Sequence, residues 1–109
     1  MTSARAISTR SYETRITKLL PPAERIEMEN AIASNPETHP VVSNTKGVRK
    51  ARWSRPGMGK RGGIRVIYFY GLKLNAVFFI AAYAKNEKEN VSNADKKDIR
   101  KIVESLKGT

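Results

Sequence analysis

The sequence predicts an α+β fold in which a small antiparallel β-sheet carries an N-terminal helical hairpin and a C-terminal helix. Three observations predict it. Apolar residues recur at helical spacing in the first 36 residues, two runs typical of β-strands follow around a short turn, and an amphipathic stripe closes the chain. The length of 109 residues fits one domain over residues 1–109.

The first third of the chain is predicted to be helical after a short edge strand around Ile7. Residues 12–20 have apolar side chains at helical spacing and stop at two consecutive prolines. Proline suits the first turn of a helix, and early acids interact favourably with the helix dipole, so a second helix is expected over residues 22–34. An Asn-Pro pair ends this second helix.

The middle of the chain is predicted to form three antiparallel strands, over residues 48–53, 64–70 and 76–83. The two later strands are rich in β-branched and aromatic residues, and a glycine-rich loop over residues 54–63 precedes them. The last strand is almost continuously apolar, which is typical of a central strand covered on both faces.

A final helix is predicted from Ser92, because Asp95 three residues later completes a capping-box pattern. Its apolar positions recur at i, i+3, i+4 and i+7, so one stripe should dock on the sheet. The stripe consists of Ile99, Ile102, Val103 and Leu106.

The charge distribution indicates a polyanionic partner. Twenty-one Lys and Arg residues against ten acids give a net charge of +11. Residues 38–86 contain ten Lys or Arg residues and no acid. A field of one sign attracts polyanions, so nucleic acid is the favoured partner, while a membrane surface or an acidic protein segment stays open.

Several classes of protein are disfavoured. The chain has no cysteine, which excludes disulfides and cysteine-ligated metal sites. The N-terminus lacks the apolar run of a signal peptide, and the longest apolar stretch is too short to span a bilayer. We therefore expect a cytoplasmic protein without membrane association. No His or carboxylate cluster has metal-ligand spacing, so no metal or cofactor is expected, and His39 is interpreted as a solvated loop residue.

Basic residues on the predicted strands are the main candidates for a functional site. Alternate residues of a strand share a face, so Lys50 and Arg52 should point the same way, whereas Arg49 and Trp53 point the other way. Arg65 interrupts an apolar strand, and its guanidinium fork matches the geometry of a phosphate.

Two further segments add candidates with open interpretations. Residues 58–63 combine glycines with Lys60 and Arg61, and could grip a nucleic-acid backbone or form a mobile hairpin loop; the spacing of a P-loop is absent. Tyr83 and Lys85 share a strand parity and could face one cleft, or could be a buried tyrosine and a solvated lysine.

Three motifs in order resemble the HigB-like branch of the RelE toxins of type II toxin–antitoxin systems. They are GVRKARW over residues 47–53, GKRGGIRVIY over residues 59–68 and YAKNEKENV over residues 83–91. The resemblance implies a RelE-like α/β fold and a ribosome-dependent endoribonuclease. Such an enzyme cleaves mRNA in the ribosomal A site, by attack of a 2′-hydroxyl on the adjacent phosphate.

The resemblance also implies roles for individual residues. Lys50 would be the general base, because neighbouring Arg52 and Arg65 would lower its pKa. The two arginines would stabilise the phosphorane, and Tyr83 or Lys85 would protonate the leaving oxygen. The residues expected to bind RNA are Arg49, Arg55, Lys60, Arg61, Asn86 and Lys88.

This sequence departs from better-known relatives in two places. The last helix has no tyrosine, although some relatives use one there, and Asn86 stands where an arginine is common. Both departures concern the general acid.

The implied partners are mRNA and rRNA at the A site of the 30S subunit and a HigA-like antitoxin with a helix-turn-helix domain, through which the pair would bind operator DNA. Two alternatives remain: a non-enzymatic gyrase inhibitor like the ParE toxins, and a simple RNA-binding module.

Overall fold

A computed structural model describes residues 3–55, 57, 62–88 and 90–108 of the chain. Within these residues the elements follow the predicted order. They are β1 (Arg5–Ser8), α1 (Arg10–Leu19), α2 (Pro22–Ser34), β2 (Arg49–Trp53), β3 (Ile64–Gly71), β4 (Ala76–Ala84) and α3 (Asn93–Ser105).

The strands form one sheet in the order β1-β4-β3-β2. The pairs β2–β3 and β3–β4 are antiparallel, as expected, and the apolar β4 lies in the interior of the sheet. The predicted α+β class is confirmed, but the sheet is mixed because β1 pairs with β4 in parallel. Two helices and two strands separate β1 from β4 along the chain, which is enough for the crossover that parallel neighbours need.

The helical hairpin packs on one face of the sheet and forms the larger core. Tyr12 of α1 is fully buried, and its ring stacks on Phe79 of β4 with centroids 5.1 Å apart. The Tyr12 hydroxyl donates a 2.6 Å hydrogen bond to Glu29 of α2, which also accepts from Arg25. Burial first, and then this hydrogen bond, hold the pKa of Tyr12 far above its usual range.

Helix α3 packs on the opposite face through Ile99 and Val103. The capping box of Ser92 and Asp95 is present, as the sequence predicts. Of the remaining stripe, Ile102 is partly buried against the same core and Leu106 is the C-cap. Polar contacts also fix the helix to residues 43–46: Lys46 Nζ is 2.7 Å from Glu104 Oε2, Arg100 donates to the Asn44 carbonyl and Lys96 bonds Ser43.

A β-bulge at Ile80 determines which face the end of β4 presents. Ile67 pairs with Ala81 but Tyr68 pairs with Phe79, so Ile80 is the extra residue. Because the bulge changes the parity of the strand, Phe79 joins the hairpin core whereas Tyr83, four residues later, joins the α3 core. The Thr9 hydroxyl donates to the Ile80 carbonyl at 2.8 Å, which ties the start of α1 to the bulge.

Within the part of the chain that the structure describes, no helix has both the length and the apolar character needed to cross a bilayer.

Candidate functional site

Arg52, Arg65 and Tyr83 form a continuous row across three strands on the α3 face of the sheet. Arg52 of β2 is the register partner of Arg65 of β3, and Arg65 is the partner of Tyr83 of β4. Because residues directly opposite each other in an antiparallel pair have neighbouring Cβ atoms, the row places two guanidinium groups and a phenol side by side.

Lys50 lies on the same face as Arg52, two residues earlier on β2, where the strand parity predicts it. Its Nζ is 3.4 Å from Asn90 Oδ1. Lys50, Arg52 and Lys96 line a cleft of about 310 Å³ between β2, residues 40–43 and the start of α3. None of the described residues that line this cleft is acidic. We refer to it as the basic cleft, and its charge suits a phosphate group.

The two arginines of the row differ in exposure. Arg52 lies on the edge strand and is exposed, whereas Arg65 lies on an interior strand and is only 5% exposed. Nη1 of Arg65 is 3.4 Å from the carbonyl oxygen of Ile64. Lys50 and Arg52 thus line the basic cleft, whereas Arg65 adds positive charge from the adjacent strand.

Tyr83, at the inner end of the row, is 4% exposed. Nζ of Lys88 lies 4.9 Å from the centre of the Tyr83 ring, a cation–π arrangement. The same ammonium group is 2.7 Å from Asp95 Oδ2 in the first turn of α3. This ion pair lowers the pKa of Asp95, with further help from the hydrogen bonds to Ser92. Lys88 thus joins α3 to the phenol of the row.

Lys85 and Asn86 lie beyond the end of β4, in a turn. The Lys85 amide donates to the Gly63 carbonyl at 2.9 Å, and Lys85 is half-buried whereas Asn86 is exposed. Glu87 accepts a 3.2 Å hydrogen bond from the Ala84 amide and pairs with Arg15 of α1. The bond from Ala84 is the main reason that the pKa of Glu87 lies below its usual range. Since the turn replaces strand geometry after Ala84, a cleft shared by Tyr83 and Lys85 stays a prediction.

The residues expected to bind RNA are scattered. Arg49 lies on the hairpin face, where one guanidinium nitrogen donates to the carbonyls of His39 at 2.7 Å and Glu37 at 3.1 Å. Arg55 is half-buried, and its Nε donates to the Gly62 carbonyl. These contacts give both arginines a structural role in holding loops. Lys60 and Arg61 lie outside the described residues.

The interpretation of His39 as a solvated residue is wrong. His39 is half-buried, and its ring meets Tyr68 edge-on with centroids 6.2 Å apart. Burial, and secondly the charge of Arg49, lower the pKa of His39. Burial also raises the pKa of Tyr68 to about 12, and the Tyr68 hydroxyl donates to the Pro36 carbonyl at 2.8 Å. The sequence around His39 is typical of a loop and therefore predicts a solvated residue. Only the tertiary fold places Tyr68 against the His39 ring.

A second cleft adjoins Arg52, and sequence reasoning missed it. Its volume is about 490 Å³, and Glu24 and Glu27 of α2 line it together with residues 52–55. In the sequence these glutamates are explained by the helix dipole alone. No local signal links them to β2, which lies more than 20 residues further along the chain.

Within the described ranges, the side chains of His, Asp and Glu form no group of three that could hold a metal ion. The described site consists of cations, the phenol of Tyr83 and neighbouring carboxylates that belong to other elements.

Comparison with known proteins identifies the family. A family model described as the RelE toxin of the RelE/RelB toxin–antitoxin system matches residues 27–109. The chain belongs to the RelE toxin family. Among solved structures, the free state of an E. coli RelE toxin with two arginines replaced by alanine is similar, with a TM-score of 0.57 and 14% identity over 81% of this chain and 90% of that chain. At this identity the match shows the RelE fold, and both the strands of the site and α3 lie in the segment that matches the family model.

Proposed function

We propose that this RelE-family toxin is an endoribonuclease of the HigB-like branch that cleaves mRNA in the ribosomal A site. The single observation that supports this most strongly is the row of Arg52, Arg65 and Tyr83 beside the basic cleft that contains Lys50. The motifs at residues 47–53, 59–68 and 83–91 support the HigB-like assignment.

Cleavage of RNA by its own 2′-hydroxyl needs three aids: a base for the hydroxyl, positive charge near the phosphorane, and an acid for the 5′-oxygen. Lys50 is the proposed base, because its amine faces the cleft and lies two residues from Arg52 on one strand face. Arg52 is exposed and would contact the phosphorane oxygens, and Arg65 would stabilise the same charge from the adjacent strand. Tyr83 or Lys85 would donate the proton, and these steps use only side chains of the chain itself.

The remaining polar side chains suit the surroundings of mRNA in the A site. Lys88, which lies over the ring of Tyr83, and Asn86, in the turn after β4, are both exposed and would contact RNA of the message or of the 30S subunit. The proposed protein partner is a HigA-like antitoxin with a helix-turn-helix domain, through which the complex would bind operator DNA. The net charge of +11 supports a polyanionic target, and action on translating ribosomes places the toxin in the cytoplasm.

The proposal is tested by cell-free translation with primer extension on the translated message. The wild type should produce cuts that need translation, and Arg52→Ala and Arg65→Ala should each abolish them. Arg52 is exposed, so its variant keeps the fold; Arg65→Lys serves as a second variant at the buried position. Lys73→Ala, at an exposed lysine in the turn between β3 and β4, is the matched control and should cleave like the wild type.

Undiminished cleavage by both arginine variants would contradict the proposed site. Two other outcomes would favour the alternatives. DNA breaks that depend on gyrase would indicate ParE-like action, and RNA binding without any cuts would indicate a simple binding module.

A further inference from the structure

The second cleft lies next to the basic cleft at the edge of the sheet, and it is lined by Glu24, Glu27, Arg52, Trp53, Ser54 and Arg55. Arg52 lines both clefts, because β2 is the edge strand and its long side chain reaches around that edge. An RNA strand held at Arg52 by a phosphate can therefore place that phosphate in the basic cleft and a neighbouring base in the second cleft.

The second cleft is lined by two carboxylates and two guanidinium groups, and Arg55 also donates a hydrogen bond to the Gly62 carbonyl. Glu24 and Glu27 are three residues apart on α2, so their carboxylates project from the same side of the helix. Among the described ion pairs, the acid of α2 that engages an arginine is Glu29, with Arg25. The neutral edge of a base has N–H groups from which a carboxylate can accept hydrogen bonds, whereas the phosphate of an RNA backbone has no such donors.

Trp53 supplies a surface on which a base can stack. Its ring packs partly against the hairpin core, and the same residue lines the second cleft. Stacking on an aromatic ring holds a single-stranded base of any type, so Trp53 would provide affinity without selecting a base.

We propose that the second cleft binds a guanine base next to the scissile phosphate, stacked on Trp53 and recognised by the carboxylate of Glu24 or Glu27. This inference rests on the proposed endoribonuclease function. An ionised carboxylate only accepts hydrogen bonds. Among the four RNA bases, guanine alone presents two adjacent donors, N1–H and the N2 amino group, on its Watson–Crick edge. The cleft would thus select the sequence at which the toxin cuts.

Trp53 is the only tryptophan of the chain, so its fluorescence reports the cleft directly. The chain is titrated with guanosine, adenosine, cytidine and uridine 5′-monophosphates, and quenching of Trp53 is measured. We expect guanosine monophosphate to quench at a concentration roughly tenfold lower than the others, since a bidentate contact gives discrimination of that order. The double variant E24Q/E27Q should lose this preference and keep the weaker quenching that all four nucleotides share.

The matched control is E37Q/D98N, which removes the same number of negative charges at exposed positions outside the second cleft. This control should retain the preference for guanosine monophosphate. Equal quenching by all four nucleotides of the wild type would overturn the proposal. An equal rise in affinity for all four nucleotides in E24Q/E27Q would also overturn the proposal. The glutamates would then act only by repelling the nucleotide phosphate and not by recognising the base.

Mapping of cleavage sites links the cleft to the reaction. In cell-free translation, wild-type cuts should be enriched beside guanine. This enrichment should be roughly tenfold weaker in E24Q/E27Q, because cleavage beside guanine falls while cleavage at other sites persists. An unchanged pattern of cuts would overturn the proposal while the cuts themselves upheld the endoribonuclease. Absence of cuts by the wild type would refute the proposed function instead. A change in antitoxin affinity with an unaltered cutting pattern would make the cleft a protein-binding surface and would also overturn the proposal.

Discussion

Arg52 of β2 lies directly opposite Arg65 of β3, so two cationic side chains share one face of adjacent strands. Like charges in directly opposite positions of an antiparallel pair destabilise the sheet. A site that binds a phosphate needs this concentration of positive charge, and its ligand relieves the repulsion. If the proposed function holds, stability and function oppose each other at this pair.

Replacement of Arg52 by glutamine should stabilise the protein while it removes cleavage. Relief of the repulsion should raise the free energy of unfolding by about 0.2–1 kcal/mol, measured by urea denaturation. Sulfate, used as a phosphate analogue, should raise the Tm of the wild type more than that of the variant, since binding to the folded state stabilises it. Lys73→Gln, away from the row, is the control. Equal stability and an equal response to sulfate in wild type and Arg52→Gln would argue against an anion site at this pair.

Replacement of Tyr12 by phenylalanine should destabilise the fold. The ring keeps its stacking on Phe79, but the 2.6 Å hydrogen bond to Glu29 is lost. A hydrogen bond to a charged partner contributes about 1.5–3 kcal/mol, so the free energy of unfolding should fall by that amount. The measurement is denaturant unfolding monitored by circular dichroism.

Tyr70→Phe is the comparison for the Tyr12 variant. The Tyr70 hydroxyl donates to the neutral side-chain oxygen of Asn75 at 2.8 Å, and Tyr70 is only half-buried. A neutral hydrogen bond contributes about 0.5–1.5 kcal/mol, so the free energy of unfolding should fall less in Tyr70→Phe than in Tyr12→Phe. Equal decreases in the free energy of unfolding of the two variants would show that the charge of Glu29 does not strengthen the hydrogen bond from Tyr12.

The fold should lose stability as the pH falls from about 6.5, because His39 has a lowered pKa in the folded state. Between the lowered folded pKa and the unfolded value of about 6.5, the unfolded chain binds more protons, and stability therefore rises with pH across this window. His39 is the only histidine, so an NMR titration of its ring protons gives the folded pKa directly. In His39→Gln the change in Tm across this window should disappear, and a folded pKa at or above 6.5 would contradict the prediction.

Much of the fold followed from local patterns. The helix bounds at residues 22–34, the capping box at Ser92 and the interior position of β4 were all correct, because spacing, capping residues and apolar runs act over a few neighbouring residues. The parallel pairing of β1 with β4 was not predicted. It depends on contacts between segments about 70 residues apart, for which β1 itself holds no signal.

The sequence by itself determined the acid-free basic segment of residues 38–86 and the shared face of Lys50 and Arg52, since charge and strand parity are local properties. Only the tertiary structure decided the rest of the site. The register placed Arg52 against Arg65, the bulge at Ile80 turned Tyr83 to the α3 face, and α2 brought Glu24 and Glu27 beside Trp53. Register, bulges and helix docking are set by packing between distant segments, and short-range sequence patterns do not encode them.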